Sequence, residues 1–310
     1  MAAFEPAYRE LLHSGELKQR VSQAYERLEA CDLCAWECGI NRRSGKMGVC
    51  RSGQRARVCS YGAHMGEEDP LRGWRGSGTV FFARCNLRCQ YCQNYDISQA
   101  DSGEEIEPEA LASIMLELQQ HGCHNINFVS PSHVVAPILA AVLIAAQAGL
   151  RIPLVYNTGG YDSLIALKLL DSVIDIYMPD MKYADPRIAR RYSKIPHYPS
   201  INRAAVHEMH RQTGDLQIDT NGIAQRGLLV RHLVLPNDLA GSREILRFLA
   251  EEISINTYIN IMDQYHPAYK AHQYPELNRR ITRDEYRSVL QMAENLGLHR
   301  LDQRRGWLQF

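Results

Sequence analysis

The stretch TVFFARCNLRCQYC (79–92) joins a β-branched and aromatic run to a loop that carries three cysteines. Residues 79–83 are typical of a buried strand, and Cys85, Cys89 and Cys92 follow with the spacing C-x3-C-x2-C. A closed structural metal site uses four protein ligands, so three thiols on one loop predict a metal centre with one open coordination position. Thiolates favour iron–sulfur clusters, zinc or Cu(I), and a loop this short can supply three corners of a cubane cluster.

Downstream of this loop, strand-like and helical patterns alternate. The predicted strands lie at 79–83, 125–130, 153–158, 173–180, 228–235 and 258–265. The predicted helices lie at 108–121, 134–148, 161–170, 201–212, 242–252 and 282–296. Strands that alternate with helices form parallel sheets, so the pattern predicts an α/β fold, a partial (β/α)6 TIM-like barrel of parallel strands. In such barrels function gathers at the carboxyl ends of the strands, which is where the cysteine loop begins.

The N-terminal part has a different character. Apolar positions at helical spacing predict one amphipathic helix over residues 5–29. Residues 31–77 are rich in Gly, Arg and Ser and show little periodicity, which is typical of a small module held together by metal. We therefore predict a helix and cysteine-rich metal-binding module at 1–77 and the barrel with a C-terminal extension at 78–310. The final RRGWLQF could close the open side of the barrel or pack against it.

A second cysteine group lies inside the predicted module, with the spacing C-x2-C-x3-C-x11-C. Its members are Cys31, Cys34, Cys38 and Cys50. Four thiolates can close a tetrahedral zinc site or hold an iron–sulfur cluster, and the spacing leaves both open. Cys59 could replace one ligand, and Cys123 is most simply a core residue.

Composition limits the classes of partner. Lys plus Arg and Asp plus Glu both total 35, so no global basic field predicts a nucleic-acid partner. The longest apolar run, 134–146, contains Pro137 and is shorter than the roughly 20 residues that span a bilayer. The first residues lack the apolar stretch of a signal peptide. Nine cysteines without an export signal favour the cytoplasm, where thiols stay reduced and bind metal.

The stretch CNLRCQYCQN, with Tyr91 before the last cysteine and placed after the first of six strands, resembles the radical S-adenosylmethionine (radical SAM) superfamily. The motif and the elements after it resemble more narrowly the pyruvate formate-lyase activating enzymes, especially a longer offshoot with a cysteine-rich N-terminus. The resemblance covers about residues 31–270 and implies a 4Fe–4S cluster on Cys85, Cys89 and Cys92. An open iron would chelate S-adenosylmethionine, and reductive cleavage would give a 5′-deoxyadenosyl radical that abstracts a hydrogen atom.

The resemblance also implies cofactor-binding residues at the strand ends. Where the family carries Gly-Gly-Glu, this chain has Ser130, Pro131 and Ser132, which leaves backbone carbonyls but no carboxylate for the cofactor's amino group. Asn157, at the next strand end, could line the same cavity. Gly159 and the glycine after it could do so too, or could only make the turn into the next helix.

Three later strand ends match the family more directly. Asp180-x-Lys182 matches an Asp-x-Lys beside the cofactor, and Arg231 precedes an apolar run and a proline as in the family. His266, in DQYHP, aligns with a Tyr-His near the ribose. Together with Tyr91, these residues form the predicted cofactor site.

The function predicted from this resemblance is hydrogen-atom abstraction from a protein, as in glycyl-radical activation, with flavodoxin or ferredoxin as the electron donor. Two alternatives remain at this point: a radical SAM enzyme that modifies a small molecule or RNA, and a non-catalytic metal-binding redox or nucleic-acid-binding module. Fold-level likeness does not decide between substrates.

Overall fold

The computed structural model describes residues 4–302, so the C-terminal RRGWLQF lies outside the described residues. Nine strands form one sheet in this part of the chain: β1 Ala56–His64, β2 Ser77–Phe82, β3 Glu104–Ile106, β4 Ile126–Val129, β5 Leu154–Thr158, β6 Ile176–Pro179, β7 Gln217–Ile218, β8 Ala224–Leu233 and β9 Tyr258–Met262. The α-helices are α1 Tyr8–Ser14, α2 Glu16–Glu26, α3 Asp69–Arg72, α4 Tyr95–Ser98, α5 Pro108–Gln120, α6 Val135–Gln147, α7 Leu164–Leu170, α8 Pro186–Ser193, α9 Tyr198–Thr213, α10 Ser242–Phe248 and α11 Arg283–Asn295.

The six predicted strands all form, as β2, β4, β5, β6, β8 and β9, and neighbouring members of this series pair in parallel. Because each is followed by at least one helix, the predicted α/β partial barrel of parallel strands is confirmed. Alternate side chains of the strands face opposite sides. One face packs on the helices, and the other fills a smaller interior core that includes Val155, Ile176, Met178 and Leu229.

Helix α6 explains why the run at 134–146 shows weak periodicity. Ten of its thirteen residues are buried, because α2 and α5 pack against it while it covers the sheet. A helix that is apolar on all sides is expected in such a position. No described helix is long and apolar enough to cross a membrane.

The single helix predicted for 5–29 is wrong: the segment forms α1 and α2, separated at Gly15. Gly15 has φ +78°, a left-handed conformation that ends α1, and its N–H donates to the carbonyl of Leu12. The apolar positions continue at helical spacing across the break, so the sequence pattern does not reveal it. Helix α2 then packs against α6 and joins the main core.

Three antiparallel strands were not predicted, namely β1, β3 and the short β7, which pairs with β8. β1 pairs with the edge of β2, and β3 pairs with β1, so part of the cysteine-rich segment belongs to the same sheet as the barrel. The proposed boundary between a module at 1–77 and a barrel at 78–310 stays a prediction.

The segment between β1 and β2 runs through the interior of the barrel. Leu71, in α3, packs in the interior core with Val155 and Leu229. Three residues earlier, Glu68 is fully buried and accepts a hydrogen bond from Asn260 of β9. This segment therefore supplies side chains that in a closed barrel would come from strands.

Some predicted helix limits shift for local reasons. α7 begins at Leu164 and not at 161, because the Ser163 hydroxyl caps it by accepting the N–H of Ile165 at 3.2 Å. α9 begins before the predicted 201, with a proline in its first turn, and α10 ends at Phe248 and continues as a π-helical turn.

Candidate functional site

A cavity of about 400 Å³ opens at the carboxyl ends of the parallel strands. It is lined by the three predicted cysteines, Cys85, Cys89 and Cys92. Five of the predicted cofactor-binding residues line it as well: Ser130, Asn157, Asp180, Lys182 and Arg231. Residues that are up to 146 positions apart in the chain thus meet in one place, because the ends of parallel strands share one edge of the sheet.

The cysteine loop follows β2 and surrounds its sulfur atoms with hydrogen-bond donors. The N–H of Leu87 donates to Cys85 Sγ at 3.4 Å, and the Ser193 hydroxyl donates to Cys89 Sγ at 3.0 Å. Cys92 Sγ lies 3.1 Å from the hydroxyl of Ser98. Hydrogen bonds of this kind stabilise thiolates, which are the metal-binding form of cysteine.

Burial opposes that charged form. It raises the pKa of Cys89 to about 12 and also raises the pKa of Cys85. As isolated thiols, Cys85 and Cys89 would therefore stay protonated, and their thiolates become favourable when a metal cation replaces the protons. All nine cysteines are free, so none of these thiols is withdrawn into a disulfide.

The donor set fits a cluster better than a single ion. Within residues 4–302, no three Cys, His, Asp or Glu side chains converge so that they could hold one metal ion. Thiolates that hold a cubane each bind a different iron and need not converge. Cys85, Cys89 and Cys92 are neighbours that line one cavity, and that cavity leaves room beside them for a further ligand.

Ser130, at the end of β4, has an unusual backbone conformation. Its φ is +59°, in the left-handed region that few non-glycine residues adopt, and its N–H donates to the carbonyl of Asn157 at 2.9 Å. Strained residues of this kind concentrate at ligand sites. The segment of Ser130, Pro131 and Ser132 reaches the cavity wall at Ser130.

Asp180 and Lys182 form an ion pair on the cavity wall, with Lys182 Nζ 2.6 Å from Asp180 Oδ2. Burial is the largest single influence on the pKa of Lys182 and lowers it, but Asp180, Cys89 and Tyr198 together raise the pKa by more, so that Lys182 remains an ammonium ion. The backbone carbonyl of Asp180 accepts from Tyr198 and Asn202 at 3.0 Å each, which fixes the strand end.

Arg231 lies deeper, between two carboxylates that the sequence analysis missed. Its Nε donates to Glu68 Oε1 at 2.7 Å, Nη2 donates to Glu68 Oε2 at 2.7 Å, and Nη2 also pairs with Glu67. Burial raises the pKa of Glu67, but Arg231 and His64 together lower it by more, so that the pKa falls to about 2. Glu67 lines the cavity, whereas Glu68 lies behind it.

Nothing in the local pattern marks these two glutamates. They stand in GEED, a short run of acids before the first barrel strand, and such a run is typical of a solvated turn. The available signal was Arg231 itself, because a guanidinium placed on an interior-facing strand position requires a carboxylate partner.

Two predicted residues do not line this cavity. Tyr91, within the cysteine loop, is buried, and its hydroxyl accepts from Tyr183 at 2.6 Å. His266 is partly exposed, and its Nδ1 lies 3.2 Å from Gln93 Nε2. A role for Tyr91 or His266 in cofactor binding stays a prediction.

The second cysteine group is also gathered in space. Burial is the largest cause of the raised pKa of Cys34, and Cys50, Cys31 and Cys38 raise it further, so the four thiols are neighbours. Cys59 lies apart on β1, 3.3 Å from the hydroxyl of Ser102.

Comparison with known proteins agrees with this geometry. Residues 79–215 match the family model of the radical SAM superfamily. An uncharacterised protein of Methanocaldococcus jannaschii, MJ0674, is 31% identical over 291 residues, which cover 91% of this chain and 79% of that protein. The chain belongs to the radical SAM superfamily. Membership of this superfamily implies a 4Fe–4S cluster and S-adenosylmethionine, and the three-cysteine loop has the donors for that cluster.

Two further similarities are weaker. MJ0808, an uncharacterised protein of the same archaeon, is 23% identical over 308 residues, covering 90% of this chain and 82% of that protein. The X-ray structure of the FeFe-hydrogenase maturase HydG from Carboxydothermus hydrogenoformans superposes with a TM-score of 0.49 and 13% identity, over 95% of this chain and 67% of that one.

Proposed function

We propose that this radical SAM protein cleaves S-adenosylmethionine reductively and abstracts a hydrogen atom from a protein substrate, in the manner of a glycyl-radical activating enzyme. The observation that carries the proposal is the single cavity lined by Cys85, Cys89 and Cys92 together with the charged strand ends. When bound, the cluster supplies the electron that splits the sulfonium compound into methionine and a 5′-deoxyadenosyl radical.

The charged side chains of the cavity suit the two ends of the cofactor's amino-acid part. Lys182 and Arg231 are cations that suit a carboxylate, whereas Asp180 and Glu67 are anions that suit an ammonium or a sulfonium group. We propose that Ser130 and Asn157 add hydrogen bonds from the strand ends. Glu67 would thereby compensate for the carboxylate that β4 lacks.

Apolar side chains on the same wall support radical chemistry. Phe81, Leu87 and Val129 line the same cavity as the cysteines and the polar strand ends. Side chains of this kind exclude water, which protects a reactive intermediate from side reactions.

The protein substrate rests on the likeness of the cysteine motif and the strand ends to the activating enzymes. The same likeness supports flavodoxin or ferredoxin as the electron donor. The nine free cysteines support a reducing compartment, and we propose the cytoplasm. We also propose that residues 1–77 act as a metal-binding module, through the second cysteine group.

The test is anaerobic reconstitution with iron and sulfide, followed by reduction with dithionite in the presence of S-adenosylmethionine. The wild-type protein should release methionine and 5′-deoxyadenosine, and Cys89→Ala should release neither. Cys123→Ala is the matched control, because Cys123 is a buried cysteine outside both groups. Equal turnover by Cys89→Ala and by wild type would refute the proposal.

The substrate class has its own test. A candidate glycyl-radical protein with deuterated glycine should transfer deuterium to 5′-deoxyadenosine. Deuterium transfer from a labelled RNA or small molecule, and none from the protein, would overturn the protein substrate while leaving the radical chemistry intact.

A further inference from the structure

The guanidinium of Arg42 is a buried charge that has no carboxylate partner among residues 4–302. Arg42 is 2% exposed. Its Nε donates to the carbonyls of Ser52 and Gly53 at 3.0 Å each, and its Nη1 lies 3.6 Å from Cys31 Sγ. Carbonyls satisfy its hydrogen bonds but not its charge, and an uncompensated buried ion costs several kcal/mol. The site therefore requires an anion close to Cys31.

Among the contacts that Arg42 makes with described residues, the thiol of Cys31 is the group that could become anionic, and Cys31 belongs to the second cysteine group. Cys31, Cys34 and Cys50 are buried, and Cys38 is partly exposed. The chain wraps tightly around them: a Cβ atom on Gly48 would lie 2.7 Å from Cys38 Sγ. Neutral thiols would leave Arg42 uncompensated, whereas four thiolates on a metal centre carry a net negative charge.

The arrangement of these thiols favours a cluster over a single zinc ion. In a zinc site all four sulfurs lie about 2.3 Å from one ion, so they must converge. Throughout the described part of the chain, no three Cys, His, Asp or Glu side chains converge in this way. The thiols of the barrel loop, which belong to a cluster-binding superfamily, do not converge on one ion either.

We propose that Cys31, Cys34, Cys38 and Cys50 hold a second iron–sulfur cluster and that Arg42 is its buried counter-charge. The proposal deepens the metal-binding role proposed for the N-terminal part and is otherwise independent of S-adenosylmethionine cleavage. This second cluster would have four protein ligands, so none of its irons would be open to a cofactor.

The second cluster would lie directly beside the barrel loop that carries Cys85, Cys89 and Cys92. The indole N–H of Trp36, between Cys34 and Cys38, donates to the carbonyl of Asn86 at 2.6 Å. Arg88 donates to the carbonyl of Cys85 at 2.6 Å and also to the carbonyl of Val49, next to Cys50. These contacts tie the two cysteine groups together through the backbone of both loops.

Metal analysis tests the proposal directly. A variant in which all three barrel cysteines are replaced by Ala should, after anaerobic reconstitution, retain about four irons and four sulfides per chain, and the wild type about eight. A triple variant that holds zinc, or no metal, would overturn the proposal. A wild type that holds four irons and cleaves S-adenosylmethionine would overturn the second cluster alone, whereas eight irons without cleavage would overturn the proposed function alone.

The role of Arg42 is tested in the same triple variant. Arg42→Gln should lower the midpoint potential of the remaining cluster in an EPR-monitored redox titration, because a nearby positive charge favours the reduced form, and Arg42→Lys should restore it. Arg43→Gln is the matched control, since Arg43 is exposed and pairs with Glu29 at 2.7 Å. If Arg42→Gln folds poorly, iron retention by Arg42→Lys serves as the readout. Equal potentials for the Arg42→Gln and Arg43→Gln variants, or loss of iron from Arg42→Lys, would contradict the assignment.

Discussion

Replacing Arg231 by methionine should destabilise the protein strongly, because it leaves two buried carboxylates facing each other. Glu67 is 5% exposed and Glu68 is fully buried, and both form an ion pair with the guanidinium of Arg231. Removing one partner of a buried ionic group costs about 3–5 kcal/mol of unfolding free energy. Glu67→Gln should cost only about 1 kcal/mol, because it leaves one carboxylate paired with Arg231 and keeps an oxygen acceptor.

The two variants should also differ in their response to pH. In Arg231→Met one of the glutamates would take up a proton, so its pKa in the folded state would rise above its value in the unfolded chain. The variant should therefore lose stability as the pH rises through this raised pKa, and it should be less destabilised at pH 5.5 than at pH 8. In the wild type the pKa of Glu67 is lowered to about 2, so its stabilising contribution is complete above the ordinary value of 4.5 and is lost only as the pH falls toward 2.

Urea unfolding of cluster-free protein, followed by far-UV circular dichroism at both pH values, measures these differences. The reasoning fails if Glu67→Gln costs as much as Arg231→Met, or if the cost of Arg231→Met does not change with pH.

Three further predictions concern other parts of the fold. Burial lowers the pKa of His133 from its ordinary 6.5 to about 3, so the unfolding free energy should fall by about 2 kcal/mol as the pH falls from 6.5 to 5. Urea titrations of His133→Gln should lack this loss. If wild type and His133→Gln lose the same stability over this pH range, the prediction is contradicted. Gly160→Ala should cost about 3 kcal/mol by thermal unfolding, because φ is +73° and a Cβ would lie 2.3 Å from the carbonyl that follows β6. Gly149→Ala is the control: its φ is +101° and a Cβ would meet no atom within 4 Å, so it should cost about 1 kcal/mol. Similar costs for Gly160→Ala and Gly149→Ala would refute the close contact at Gly160. Ser193→Ala removes the hydrogen bond to Cys89 Sγ and should lower the midpoint potential of the cluster on Cys85, Cys89 and Cys92 in a redox titration. An unchanged midpoint potential would show that this hydrogen bond does not tune the cluster.

The barrel strands could be predicted because each is a local pattern. β4, β5 and β6 are short apolar runs between helical segments, and their order along the chain is also their order in the sheet. The site followed from this order, since Asn157 lies near the carboxyl end of β5 and Lys182 follows β6, so both reach the same edge of the sheet.

What could not be predicted depends on contacts between distant segments. Gly15 breaks a helix whose apolar pattern continues across the break. Glu68 reaches Arg231, which is 163 positions away, only because the segment between β1 and β2 enters the barrel. Sequence spacing likewise does not reveal that Arg42 is buried against Cys31, because the burial of a charge is decided by the assembled fold.

The most direct test of the proposed chemistry is whether the cluster on Cys85, Cys89 and Cys92 binds S-adenosylmethionine through an iron that no side chain occupies. Reduced protein whose second cysteine group is replaced by Ala should be examined by electron–nuclear double resonance, with cofactor labelled isotopically at its amino nitrogen. We expect the cofactor to shift the cluster's signal and the labelled nitrogen to couple to it. A signal that is identical with and without the cofactor, and that shows no coupling, would contradict an open iron in this loop.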